Sequence, residues 1–143
     1  MRPDRPLHKA ALHLELLVCG AAARLLVKSR GIEPTLRRLA RPGAGWGSTA
    51  APNDAVRAAR RLHRFVGRGT CLEESAALAA VLARRGGTPD LIVGCRRYPD
   101  GTWGAHAWVV ADGVRCDLVP AGEHAALTRY SLDSGWRAEA LTQ

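Results

Sequence analysis

Apolar residues recur at spacings of three and four along the first part of the chain, and the period shortens to two in the second part. Leu7, Ala10, Ala11, Leu14, Val18, Ala21 and Leu25 place a helix over residues 7–28. Gly31 and Pro34 end or restart it, and residues 35–40 read as a short second helix. Residues 41–52, with Pro42, Gly43, Gly45, Gly47 and Pro52, form the clearest loop. Asn53 or Asp54 is the expected N-cap of a helix to about Val66, with Val56, Ala59, His63 and Val66 along one side. After the break at Gly67–Thr70, a further helix starts at Thr70 or Cys71, runs to Arg85, and stops at Gly86-Gly87.

From there the pattern is that of strands. Leu91 to Cys95 is one, Tyr98-Pro99-Asp100-Gly101 a turn, and Ala105 to Ala111 a second strand. Asp112-Gly113 is a two-residue hairpin signal leading into a third strand, Val114 to Leu118. Residues 119–143 read as irregular or weakly helical, anchored by Trp136. Helices followed by a small antiparallel sheet predict an α+β domain, with residues 1–52 a helical region and linker and 53–143 the core.

The formal net charge of +8 invites a nucleic-acid reading. All the basic residues but Lys9 and Lys28 are arginine, in an alanine-rich chain. That pairing reflects base composition as readily as function, and no basic motif is interleaved with aromatics, so nucleic acid is not an expected partner. Arg57, Arg60, Arg61, Arg64 and Arg68 form a stripe that is either a solvated face or a docking surface for a peptide or protein. The four cysteines lack a C-x-x-C pair, so neither metal nor cofactor is expected. Cys19, Cys95 and Cys116 read as buried thiols in a reducing, cytoplasmic setting. Residues 10–23 resemble a secretory signal, but Glu15 and His13 interrupt the run, which is too short for a membrane span.

Three residues carry the candidate chemistry. Cys71 opens its helix, where unpaired N–H groups favour a thiolate, while Glu73 and Glu74 oppose one. His106 lies in a strand beside Gly104, Ala105 and Ala107, whose small size leaves room around the ring. A two-residue turn at Asp112-Gly113 sets Trp108 opposite Asp117 and His106 opposite Val119, all on one side of the sheet. His106 and Asp117 are then diagonal neighbours, roughly 7–8 Å apart at the backbone and within reach of each other's side chains. Asp112 is the alternative acid, although a turn aspartate usually serves its turn. Nucleophile, base and orienting acid together make a set for acyl transfer through a thioester.

The segment Gly69-Thr70-Cys71-Leu72-Glu73-Glu74-Ser75-Ala76-Ala77-Leu78, with Leu82-Ala83-Arg84-Arg85-Gly86-Gly87, resembles the nucleophile helix of lasso-peptide leader peptidases. Leu91-Ile92-Val93-Gly94-Cys95 and Ala105-His106-Ala107-Trp108-Val109 are similar to the strands that follow it, and Asp117 stands where the third triad member should. The resemblance covers about residues 53–118. It implies a transglutaminase-like, papain-related fold in which the nucleophile helix packs on the sheet.

It further implies a cysteine peptidase that cuts the leader from a ribosomally made precursor peptide. The freed amine would go to a separate ATP-dependent cyclase. With no leader-recognition domain ahead of the protease, a separate recognition protein is the expected partner. Gly69, Thr70 and Trp108 are candidate substrate contacts, Trp108 being equally a core residue. Backbone N–H of Cys71 is the natural oxyanion donor. The competing readings are an acyl-transfer enzyme with an amine acceptor, a nucleic-acid-binding module using the arginine stripe, and a scaffold without activity.

Overall fold

A computed structural model of the chain describes residues 5–67, 69–118 and 122–142. Helix α1 (Arg5–Arg30) turns Leu12, Leu16, Cys19 and Ala23 inward, while Leu7, Leu14, Val18 and Leu25 stay exposed on its other side. By length and composition α1 could cross a bilayer, yet its Glu15 is wholly buried among protein groups. Gly31 takes a positive φ of 82°, which lets the chain reverse into α2 (Ile32–Leu39), where Leu36 enters the core.

Helix α3 (Pro52–Val66) differs from expectation at both ends. Ala51 is its N-cap and makes no side-chain cap bond, because Pro52 occupies the first helical position and presets φ there. At the far end Val66 is exposed, while Val56 and Ala59 are buried.

The central helix is α4 (Cys71–Arg84), buried without interruption from Glu73 to Ala83. Its alanines let α1, α2 and the sheet approach closely. Thr70 caps it through a capping box: Thr70 Oγ1 accepts from Glu73 N at 3.3 Å, and Thr70 N donates to Glu73 Oε2 at 3.0 Å. Thr70→Ala should cost about 1 kcal/mol in urea unfolding. An unchanged midpoint would show that the cap adds nothing to stability. At the other end Gly86, with φ +88°, carries the chain away, and Gly45 N donates to Arg84 O at 2.9 Å.

Among the described residues, five strands form one antiparallel sheet: β1 (Asp90–Arg97), β2 (Trp103–Ala111), β3 (Val114–Cys116), β4 (Ala125–Ser131) and β5 (Ala138–Ala140), in the order β3-β2-β1-β4-β5. Asp112 and Gly113 both take positive φ, 52° and 72°, as the expected two-residue hairpin turn requires. Val109 lies opposite Cys116 and Ala111 opposite Val114, the register expected from the turn.

Two expectations for the sheet fail. The third strand ends at Cys116 rather than Leu118. The C-terminal segment, read as irregular, supplies β4 and β5, and β4 inserts beside β1. Trp136 does anchor that segment, 3% exposed and with a positive φ of 63°. All four thiols are free, and Cys95 is half-buried rather than buried. The architecture is α+β, with α4 between the other helices and the sheet.

Candidate active site

The two sides of β2 have different jobs. Ala107, Val109 and Ala111 join the core with Leu91 and the α4 residues, whereas His106 and Trp108 alternate to the other side. Across the hairpin, Cys116 turns into the core and Asp117 turns towards His106. His106 Nε2 donates to Asp117 Oδ1 at 2.8 Å, with the histidine side chain 8% exposed and the carboxylate 19%. This bond commits Nε2 and leaves Nδ1 for another partner. Asp112 is exposed in the turn. Val119, expected opposite His106, lies outside the described residues.

Several neighbours shape this pair. The Trp108 ring stacks beside His106, with centroids 5.9 Å apart. Trp108 is 5% exposed, so it packs as a core residue while flooring the histidine. Gly94, paired with His106 between β1 and β2, makes room for the Trp108 ring and the Ala125 carbonyl. A Cβ there would lie 2.8 Å from the Trp108 ring and collide with the Ala125 carbonyl. Arg115 Nε donates to Asp117 Oδ2 at 2.6 Å, and its guanidinium lies 4.2 Å over Trp108. Arg60 donates to the main-chain carbonyls of Asp117 at 2.8 Å and Leu118 at 3.3 Å. His124 closes the remaining side, 5.1 Å from His106 between centroids.

Cys71 stands at the first position of α4, which packs on the Ala107 side of β2. Strand β3 pairs with β2 only over Val109–Ala111, so beyond Val109 that edge of β2 is unpaired. Ala107 shares its parity, and its carbonyl points to the same edge. Ser75 Oγ donates to Ala107 O at 3.0 Å, fully buried, and so pins the first turns of α4 where β3 has stopped. Cys71 precedes Ser75 by four residues and lies on the same side of the helix. The half-buried thiol makes no hydrogen bond to His106 among the described residues.

The turn entering Cys71 is clamped from below. Gly69 N donates to Glu74 Oε1 and Thr70 N to Glu73 Oε2, each at 3.0 Å. The amides of Gly69 and Thr70 are therefore engaged within the protein, whereas Cys71 N and Leu72 N have no acceptor among the described residues. Both glutamates are buried: Lys28 stands 3.9 Å from Glu73, and His63 Nε2 3.3 Å from Glu74. At Gly69 a Cβ would sit 2.6 Å from Glu73 Oε2, so this clamp needs glycine.

The buried thiols are poor nucleophiles. Burial pushes the Cys19 thiol up to about 11. Burial, reinforced by the nearby Asp117 and Asp112 charges, also raises Cys116.

Of the arginine stripe, Arg57, Arg60, Arg61 and Arg64 are exposed on α3, and Arg68 lies outside the described residues. Sequence reasoning missed Ser75, Gly94, Arg115 and His124. Arg115 was within its reach, because it stands two residues before Asp117 and so shares its side of the hairpin. His124 had no local signal.

A hydrogen-bonded imidazole–carboxylate pair, in a domain whose central buried helix begins with cysteine, supplies the groups that nucleophilic acyl transfer uses. The family model of the transglutaminase-like superfamily matches residues 16–131, and the chain belongs to that superfamily, which includes cysteine peptidases and acyltransferases. No curated protein and no solved structure matches the chain.

Proposed function

We propose that this protein is a cysteine peptidase that removes the leader from a ribosomally made precursor during lasso-peptide maturation in the cytoplasm. The observation that carries the acyl-transfer part is the 2.8 Å His106–Asp117 bond at the strand edge to which Ser75 fastens the Cys71 helix. The leader-peptidase part rests on the resemblance of residues 53–118. In the proposed reaction, His106 Nδ1 takes the Cys71 proton and the thiolate attacks the carbonyl at the leader–core junction. The N–H groups of Cys71 and Leu72 hold the oxyanion. The C–N bond breaks as His106 returns the proton to the leaving amine. Water, deprotonated by His106, then hydrolyses the thioester. A separate leader-recognition protein would deliver the precursor, and the lasso cyclase would take the product.

The test is intact mass of the neighbouring gene's precursor peptide after incubation with this protein, with and without the neighbouring recognition protein. One cut at the leader–core boundary is expected. Asp117→Asn should slow it by about 10²–10⁴-fold, since the imidazole loses the anion that orients it and stabilises its charged form. Adding a lysine-like amine distinguishes the other branch of the superfamily. Incorporation of the amine in place of hydrolysis would make the protein a transferase.

A further inference from the structure

Three arginines from two elements meet beside the His106–Asp117 pair. Arg57 and Arg60, one turn apart on α3, and Arg115 on β3 line an open cavity of about 460 Å³, together with Asn53, Asp117 and Gly122. Their charges do not cancel. Among the described residues, Asp117 is the one carboxylate on the cavity wall, and Arg115 binds it. Arg60 spends Nε and one terminal nitrogen on main-chain carbonyls, which carry no charge. Arg57 has no hydrogen-bond or ion-pair partner among the described residues. The cavity thus faces two uncompensated positive charges, with the whole Arg57 fork and one terminal nitrogen each of Arg60 and Arg115 still able to donate.

Resting on the peptidase reading, we infer that this cavity is a subsite for the carboxylate of an aspartate or glutamate in the substrate peptide. Guanidinium forks match a carboxylate in shape as well as charge. Asp117 belongs both to the pair with His106 and to the cavity wall, which sets the subsite near the scissile bond. A bound peptide in extended form advances about 3.3 Å per residue. An acidic residue only a few positions from the cut therefore reaches the cavity. The inference divides the α3 stripe by role. Arg60 lines this cavity, Arg57 borders both it and a second hollow, and Arg61 faces that second hollow with Asp54, His8, Lys9 and Ser48.

The experiment measures binding without turnover. Two fluorescein-labelled ten-residue peptides, identical except that two glutamates in one are glutamines in the other, are titrated into Cys71→Ala protein at low ionic strength. Fluorescence anisotropy reports the two Kd values. The glutamate peptide should bind about tenfold more tightly. Arg57→Gln should bring that ratio close to one, and Arg57→Lys should keep part of it. Arg30→Gln, a surface change at the end of α1, should leave it unchanged. Thermal melting confirms that each variant is folded.

A ratio unaffected by Arg57→Gln would overturn the inference. So would an equal loss in Arg30→Gln, which would assign selectivity to net charge, or failure of both peptides to bind. Because no cleavage is needed, the peptidase reading fails separately. Arg57-dependent selectivity with an uncut precursor would remove that reading and leave the carboxylate subsite.

Discussion

Cys71→Ala is expected to abolish processing of the precursor, with turnover falling by about 10⁵-fold or more. Loss of a covalent nucleophile typically costs that much, since the remaining groups provide only binding and oxyanion stabilisation. Two of the other thiols cannot substitute. Cys19 and Cys116 are buried, with their thiols held in the neutral form. Cys95, half-buried on β1 opposite Ala105, is the thiol that peptide mapping has to distinguish from Cys71. The variant should also fold normally, because a half-buried thiol at the first position of α4 contributes little packing. Unfolding midpoint and cleavage rate, measured on the same preparation, separate the two effects. Unchanged stability with lost cleavage is the expected result. Substantial residual cleavage would mean that the acyl group is carried elsewhere.

Glu15→Gln should produce the largest loss of stability. Glu15 is fully buried, with Oε1 3.1 Å from Arg84 Nε and Oε2 2.8 Å from Arg85 Nε, and it also accepts from Trp46 N at 3.3 Å. The two arginines reach on to the carbonyls of Leu39, Ala44 and Ser48, so one carboxylate ties α1, the end of α4 and the 40–51 loop together. Removing its charge leaves the buried Arg85 and the partly buried Arg84 guanidiniums without a counter-ion, and Arg85 already has an unpartnered nitrogen, Nη2, among the described residues. Breaking a buried pair from one side costs about 3–5 kcal/mol. That corresponds to a fall in Tm of roughly 10 °C or more for a domain of this size. By contrast, Glu139→Gln breaks a pair with Arg129 in which both side chains are about 40% exposed, and it should change stability by less than about 1 kcal/mol. Similar losses in the two variants would show that the Glu15 cluster is not a structural centre.

Glu15 also shows why part of the chain was misleading as sequence. In the linear pattern it interrupts an apolar run and argues against a signal segment. Nothing local indicates that Arg84 and Arg85, some seventy residues later, neutralise it. The His106–Asp117 geometry was legible for the opposite reason. A two-residue turn fixes register, and register fixes which side chains share a side of the sheet. The capping box at Thr70 and Glu73 is likewise a local signature, and it marks where α4 begins. The strand Ala125–Ser131 carried no comparable mark. Ala-Ala-Leu-Thr-Arg-Tyr-Ser lacks clean alternation, and its partner β1 lies far back in the chain, so tertiary pairing rather than propensity makes it a strand. The seating of the first turns of α4 against β2 was equally non-local. It depends on β3 ending early and on Ser75 taking the vacated edge of β2.

The measurement that bears most directly on the central proposal is acid-quenched intact mass of the protein shortly after mixing with precursor. The expected species has the mass of the protein plus the leader less one water. Peptide mapping should place the added mass on Cys71, and it should be missing from Cys71→Ala. Leader attached to Cys19, Cys95 or Cys116, or precursor cut normally by Cys71→Ala, would contradict the assignment of Cys71 as the nucleophile.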